Sequence, residues 1–304
     1  LAAPLDAIVI GAGPAGLAAA IYLARFRRRV LVLHDGDSRA AWIPRSHNHP
    51  GFPGGVVGVD LLERTRRQAE EFGARIEAAR VTGLAVEGDG FKVTAGDRGL
   101  AARSVILATG IVDRLPDLPG VEAAVRRSLV RICPICDGFE VTGQAVAVIG
   151  DGALGVREAL FLKTYSDKLT LIHTGGPNAL ADDERATLAK AGVRLIEAPI
   201  AEVVLDNDRL TALAFTEQGR LEFDAVYTAL GFDPCTALAL QAGARRDEDG
   251  RLIVDDHQQT TVPGLYAAGD MVRGLNQIST AQGEAAIAAT ALHNRLRETE
   301  AQST

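Results

Sequence analysis

Two of the three cysteines in the chain, Cys133 and Cys136, stand close together in the stretch RICPICDGFE, and Asp137 follows them at once. Thiol–disulfide exchange needs a thiolate that attacks and a proton for the sulfur that leaves. A C-x-x-C pair at a turn into a helix, with a carboxyl group beside it, has the parts for both. Pro134, between the cysteines, stiffens their loop. Zinc binding is the other chemistry open to such a pair, and it needs two more soft ligands. Cys235 stands alone with no His pair near it, so no metal site is expected. An inert buried pair is the third reading, and the adjacent acid weighs against it. Cys235, next to Pro234, reads as a packed thiol.

A dithiol of this kind needs an electron carrier, and two glycine patterns supply candidates. The first lies in DAIVIGAGPAGLAAAIYLARFRRRVLVLHDGD. An apolar strand runs into Gly11, Gly13, Pro14, Ala15 and Gly16, then a small-residue helix, then a second strand. In a βαβ unit the first glycine allows the tight turn, the second lets a pyrophosphate approach the backbone, and the third lets helix and strand pack closely. Asp35, or His34 beside it, stands where a ribose-binding acid is expected. The plan repeats at AVAVIGDGALGVREALFLKTYSDKLTLIHTGG, with Gly150, Gly152 and Gly155. Such a duplication suggests two redox carriers.

The remaining elements must position these turns. SVILATGIVDRLPDLPG, with Gly110 at its strand end, and AVYTALGFDP read as strands closing the two nucleotide-binding sheets. Near the end, TVPGLYAAGD reads as a strand ending in Gly269 and Asp270, and NQISTAQGEAAIAATALHNRL as an Ala-rich helix. The fold class is therefore α/β, with two Rossmann-like three-layer domains, the second inserted in the first. Residues 1–115 and 242–304 form one domain, and 116–241 the other. A chain of 304 residues is long enough for each to bury its own core.

A net charge of −7 leaves no broad basic excess for a phosphate backbone, so no nucleic-acid partner is expected. The run RFRRR reads as a solvated helix end. No apolar run has the length of a membrane span, so no membrane partner is expected. The sequence enters its first strand almost directly, without the pattern of a signal peptide. Three cysteines make no disulfide framework, and a reducing, cytoplasmic compartment fits.

The GAGPAG unit, the ATG strand end, C-x-x-C-D-G, the second glycine turn and the YAAGD strand occur in that order over nearly the whole chain. In this combination the chain resembles the low-molecular-weight thioredoxin reductases and related FAD-dependent disulfide oxidoreductases. The resemblance implies FAD on the outer domain, a nicotinamide-type inner domain, a homodimer, and a thioredoxin-like protein or a small dithiol or disulfide as partner. It places Gly11, Gly13 and Gly16, with Pro14 and Ala15 in the same turn, around the FAD pyrophosphate. Gly110 lies at the edge of that site, and Asp270 on the ribitol or phosphate side. Gln277 and Ile278 face the pyrimidine edge of the flavin, where the positive end of the last helix favours reduced flavin. Asn48, in HNHPGFPGG, is on a loop lining the flavin. Cys136 becomes the flavin-facing sulfur, Cys133 the one that attacks the partner, and Asp137 the acid and base.

The inner domain departs from the family. Where a basic cluster should hold the 2′-phosphate of NADPH, the sequence reads LIHTGGPNAL, with His173 and Thr174 but neither Arg nor Lys. The acid that NAD would need is missing too. Asp151 puts a charge in the phosphate turn, although Arg157 or Arg185 could reach a phosphate. NADPH use is thus disfavoured. Electrons would come from a ferredoxin-like donor, or would flow the other way, as in a flavin-dependent dithiol oxidase acting on a small molecule with oxygen as acceptor. A redox-sensing binding module is a third reading, against which the intact C-x-x-C-D argues. Trp42, the only Trp, either stacks on the flavin or packs at an interface. His47 and His49 share its loop as proton shuttles or exposed side chains.

Overall fold

The computed structural model describes residues 4–36, 38–173, 175, 180–206, 209–215 and 219–302. Strand β1 (Leu5–Ile10), helix α1 (Pro14–Arg25) and strand β2 (Val30–His34) come first. Pro14 is the first helical residue, where its missing N–H costs nothing. Helix α2 (Gly58–Glu71), strand β3 (Arg75–Ala78) and an antiparallel run of β4 (Val81–Glu87), β5 (Gly90–Ala95) and β6 (Arg98–Leu107) follow. These strands lie in the order β3-β2-β1-β6-β5-β4, with β1, β2, β3 and β6 parallel. The apolar runs of β1 and β2 do not alternate, because central parallel strands are covered on both faces.

The chain leaves this sheet along β7 (Ile111–Asp113) and continues through α3 (Val121–Arg126), β8 (Val130–Arg131), α4 (Pro134–Asp137), β9 (Val146–Gly150), α5 (Gly152–Leu162), β10 (Leu169–His173), α6 (Asp182–Lys190) and β11 (Arg194–Ile196). Strands β12 (Ile200–Asp206), β13 (Arg209–Phe215) and β14 (Gly219–Glu222) make a separate antiparallel sheet. Strand β15 (Ala225–Ala229) completes a second parallel sheet in the order β11-β10-β9-β15-β8. The return passes along β16 (Phe232–Pro234), antiparallel to β7. It then passes through α7 (Ala237–Gln241) and β17 (Leu265–Ala267), which pairs with β6, into α8 (Ile278–Gln302). Outgoing and returning strands are thus neighbours, tied by an ion pair between Arg114 and Asp233. The strand before Asp270 is shorter than its sequence suggests, ending at Ala267.

The parallel strands of the first, mixed sheet and the second, parallel sheet are each the middle layer of a Rossmann-like sandwich. On one face of the first, α1 and α8 meet through Ala15, Ala19, Ala281, Ala285 and Ala288, small enough for close helix contact. The second sheet is covered by α5 and α6 on one face. On the other lie α3 and, from β13, Leu213 and Phe215. Trp42, in a short 3-10 turn (Arg39–Trp42), packs against this latter cluster, with the Arg126 guanidinium 4.3 Å from its ring centre. Of the two readings of Trp42, the structure shows packing between the units carrying the two parallel sheets.

The first glycine turn separates two demands. A Cβ on Gly16 would sit 1.8 Å from the Gly11 carbonyl oxygen, whereas one on Gly13 would meet only the Ser38 Oγ at 3.3 Å. Gly16→Ala should therefore destabilise the protein by about 1–3 kcal/mol, the usual range for overpacking. Gly13→Ala should leave the melting temperature of the cofactor-free protein near wild type. Thermal denaturation of both variants checks this, and equal losses would contradict the packing argument.

Candidate active site

Cys133 is the extended residue capping α4, and the single turn that follows brings Cys136 back to it. Their Cα atoms are 5.3 Å apart and the sulfurs are joined in a disulfide. The side-chain amide of Gln277 points its nitrogen at both sulfurs, 3.5 Å from Cys133 and 3.4 Å from Cys136. Asn48 donates to the Gln277 Oε1 at 2.8 Å and to the Ile135 carbonyl at 3.3 Å. Sequence reasoning aimed Gln277 at the flavin alone; here its nitrogen donates to the Asn276 carbonyl at 2.9 Å and also faces the sulfurs, where the remaining N–H can hold negative charge.

Asp137 is held from two sides. Arg131 donates to Oδ2 at 2.7 Å and the Tyr227 hydroxyl to Oδ1 at 2.8 Å. Parallel pairing of β8 with β15 sets Arg131 beside Tyr227 and so builds this clamp. Burial pushes the Asp137 carboxyl above its usual range, against the opposing pull of Arg131 and Tyr227. Burial, then the Asp137 charge, raises the Tyr227 phenol far above its usual value, so it stays a hydroxyl donor. Sequence reasoning missed both partners. Arg131 lies within the cysteine stretch, and a hydroxyl inside the apolar strand AVYTA was the one signal for Tyr227.

A cavity of about 790 Å³ runs from the first glycine turn to Cys136, a size suited to a small-molecule ligand. Gly11, Gly13, Pro14 and Ala15 line one end, at the N-terminus of α1, where backbone N–H groups favour a phosphate. Asn48, Gln277 and Ile278 line the other. Gly110 and Asp270 lie on the wall between, and Asp35 is exposed at the rim. Gly16 is set back, packing on Gly11. The Nε2 of His34, on the same wall, is buried without a hydrogen-bond partner, as a group awaiting a ligand would be. These residues fit FAD. Arg39, also unforeseen, bonds Asp113 at 2.6 and 2.9 Å and lies 3.8 Å from Asp270. Burial raises the Asp270 carboxyl and Arg39 partly offsets it.

The model of the pyridine nucleotide-disulphide oxidoreductase family matches residues 5–285. The chain belongs to this family. It is 33% identical over 297 residues to the thioredoxin reductase of Treponema pallidum, covering 94% of this chain and 95% of that one. Its fold superposes on the crystal structure of HlmI with a TM-score of 0.91 at 32% identity, covering 99% and 95% of the two chains. On the thioredoxin reductase of Streptococcus pyogenes the TM-score is 0.90 at 28% identity, covering 97% and 99%. The protein is a thioredoxin reductase-like flavoprotein disulfide oxidoreductase.

Other candidates in this oxidoreductase fall differently. Cys235 is half-buried on the wall of the same cavity, and burial raises its thiol. His47 is exposed, while His49 stacks on Phe52 with Nδ1 3.4 Å from the Ser279 hydroxyl. Of the run after β10, Thr174 and residues 176–179 lie outside the described residues. Among the described residues no helix is long and apolar enough to cross a membrane.

Tyr227→Phe keeps the buried ring but removes one hydrogen bond to the Asp137 carboxylate. Such a bond to a charged group contributes about 1.5–3 kcal/mol, so its loss should raise the Asp137 pKa further. The matching inflection in the pH profile of dithiol-driven flavin reduction should move upward; an unchanged profile would refute the coupling.

Proposed function

We propose that this oxidoreductase passes electrons between FAD and a protein disulfide through Cys133 and Cys136, with poor or no use of NADPH. One observation carries the reading: Cys136 opens onto the cavity that begins at the phosphate-binding glycine turn. Residues 1–115 and 242–304 then act as the FAD unit, and residues 116–241 carry the redox pair. FAD, when bound, supplies a two-electron carrier. Asn48 orients Gln277, and Gln277 holds thiolate charge at the sulfurs. In the reduced protein the Cys133 thiolate attacks a partner disulfide, forming a mixed disulfide and releasing one partner thiolate. The Cys136 thiolate then attacks the Cys133 sulfur, releasing the second and restoring the Cys133–Cys136 bond. Two electrons move to the partner, and Asp137 supplies and recovers protons.

A thioredoxin-like partner is supported by the relatives' names and by apolar surface beside the pair. Ile135 is 45% and Phe139 77% exposed. A ferredoxin-like donor or a dithiol would supply the electrons, since LIHTGGPNAL offers no cation for a 2′-phosphate.

Anaerobic titration of the flavin-loaded protein tests this. Dithiothreitol should bleach the flavin rapidly. NADPH should do so at least about tenfold more slowly, since one missing charge-assisted phosphate contact is worth that much. Rapid bleaching by NADPH would overturn the claim about the donor. Cys136→Ser and Cys133→Ser should each reduce disulfide turnover by roughly a thousandfold or more. Full exchange activity in both would overturn the assignment of the pair.

A further inference from the structure

Gln277 meets the sulfurs at the end of an exposed stretch of chain. Met271 and Val272 are buried, but Arg273, Gly274 and Leu275 are exposed, and α8 begins only at Ile278. Three exposed residues give the chain little core contact just before the site. Polar contacts must therefore set its course.

Arg251 supplies them. It precedes Leu252, which is buried and bridges to Val272. Its Nη1 lies 3.1 Å from the Asp270 carbonyl oxygen, 2.5 Å from that of Val272 and 3.1 Å from the Asn276 Oδ1. Nη2 reaches the same Asn276 oxygen at 3.2 Å. One planar guanidinium thus grips both ends of the stretch, a fork that lysine does not have. Asn276 hands the constraint on. Its carbonyl accepts from the Gln277 amide nitrogen at 2.9 Å, which leaves the other N–H for the sulfurs. Arg251 is itself held. Its guanidinium carbon stands 4.9 Å from the ring centre of Phe232 in β16, and its backbone N–H donates to the Asp247 carboxylate at 2.9 Å. That carboxylate also takes the Arg273 guanidinium at 2.9 Å. Arg251 is not among the residues that line the cavity, so its influence on the chemistry passes through Gln277.

We propose that Arg251 is a positioning residue for thiol–disulfide exchange, fixing the turn from Asp270 to Gln277 so that the Gln277 amide meets the sulfurs. The inference rests on the reading above in which Gln277 holds thiolate charge. A hydrogen bond weakens steeply as its donor turns away from the acceptor. A misplaced amide therefore loses the thiolate without loss of the fold. The Cys133 thiolate, which attacks the partner, is the group that registers the change.

The test is the pH dependence of iodoacetamide alkylation at Cys133 in the FAD-loaded protein, read by peptide mass spectrometry in a Cys136→Ser background. The midpoint gives the thiolate-to-thiol ratio at neutral pH. Gln277→Ala should lower that ratio about tenfold, the loss of one hydrogen bond to a charged group. Arg251→Gln should lower it by a similar factor. Arg251→Lys, which keeps the charge but not the fork, should lower it too. So should Asn276→Ala, which removes the gripped oxygen and carries the test if Arg251→Gln does not fold. Arg251→Gln combined with Gln277→Ala should match Gln277→Ala alone, because the two act through one contact. An unchanged ratio in Arg251→Gln and Asn276→Ala, a wild-type ratio with Lys, or a further fall in the double variant would overturn the role of Arg251 and leave that of Gln277 standing. An unchanged ratio in Gln277→Ala would remove both.

Discussion

The side-chain amide of Gln277 takes Asn48 on its oxygen and the two sulfurs of the disulfide on its nitrogen. These partners lie 229, 144 and 141 residues away along the chain, so folding alone assembles the redox centre. Gln277 can do this because it stands just before α8, whose alanine face is set against α1 by the first core. The cysteines arrive from the unit of the second sheet, held across the gap by these bonds and by Trp42 under Arg126. Each neutral hydrogen bond contributes about 1 kcal/mol net and an exposed cation–π pair about as much. The units are therefore positioned by small terms beside two large cores, and the connecting strands β7 and β16 run as one antiparallel pair.

Charge around the centre follows one pattern: a half-buried carboxyl group with a basic or hydroxyl partner that offsets only part of the cost of burial. Asp137 has Arg131 and Tyr227, and Asp270 has Arg39, which also holds Asp113 of the connecting strand β7. Burial raises both carboxyl groups above their ordinary values. The native state then binds more protons than the unfolded one between the ordinary and the raised values. Stability is lost as the pH climbs through that window, the reverse of a salt-bridged surface carboxylate. A carboxyl group with a raised value is also one that gives and takes protons nearer neutral pH, which suits thiol–disulfide exchange.

The two glycine turns share one packing requirement in different surroundings. Both keep the close strand–helix approach that glycine alone permits. In the first, the N-terminal amides of α1 look into a cavity that continues to the dithiol. In the second, an amide of α5 is bonded to His173. The packing requirement is local and preserved in both, whereas what lies above each turn is set by the neighbouring strands.

The sequence by itself determined the α/β class, the duplicated turn, the C-x-x-C-D centre and the glycine-turn end of the cavity. Those features follow from local rules: strand periodicity, the freedom of glycine, and the spacing that brings two cysteines within bonding reach. Tertiary structure decided what lies across gaps in the sequence. It set Arg131 and Tyr227 on Asp137 through the pairing of β8 with β15, Arg39 between Asp113 and Asp270, and Trp42 on the second core. It also turned Gln277 toward sulfur and His173 onto Gly152. None of these could be read from residue type, because a side chain's partner is fixed by strand register and by which helix face is buried. Those depend on the whole packed chain and not on any window of it.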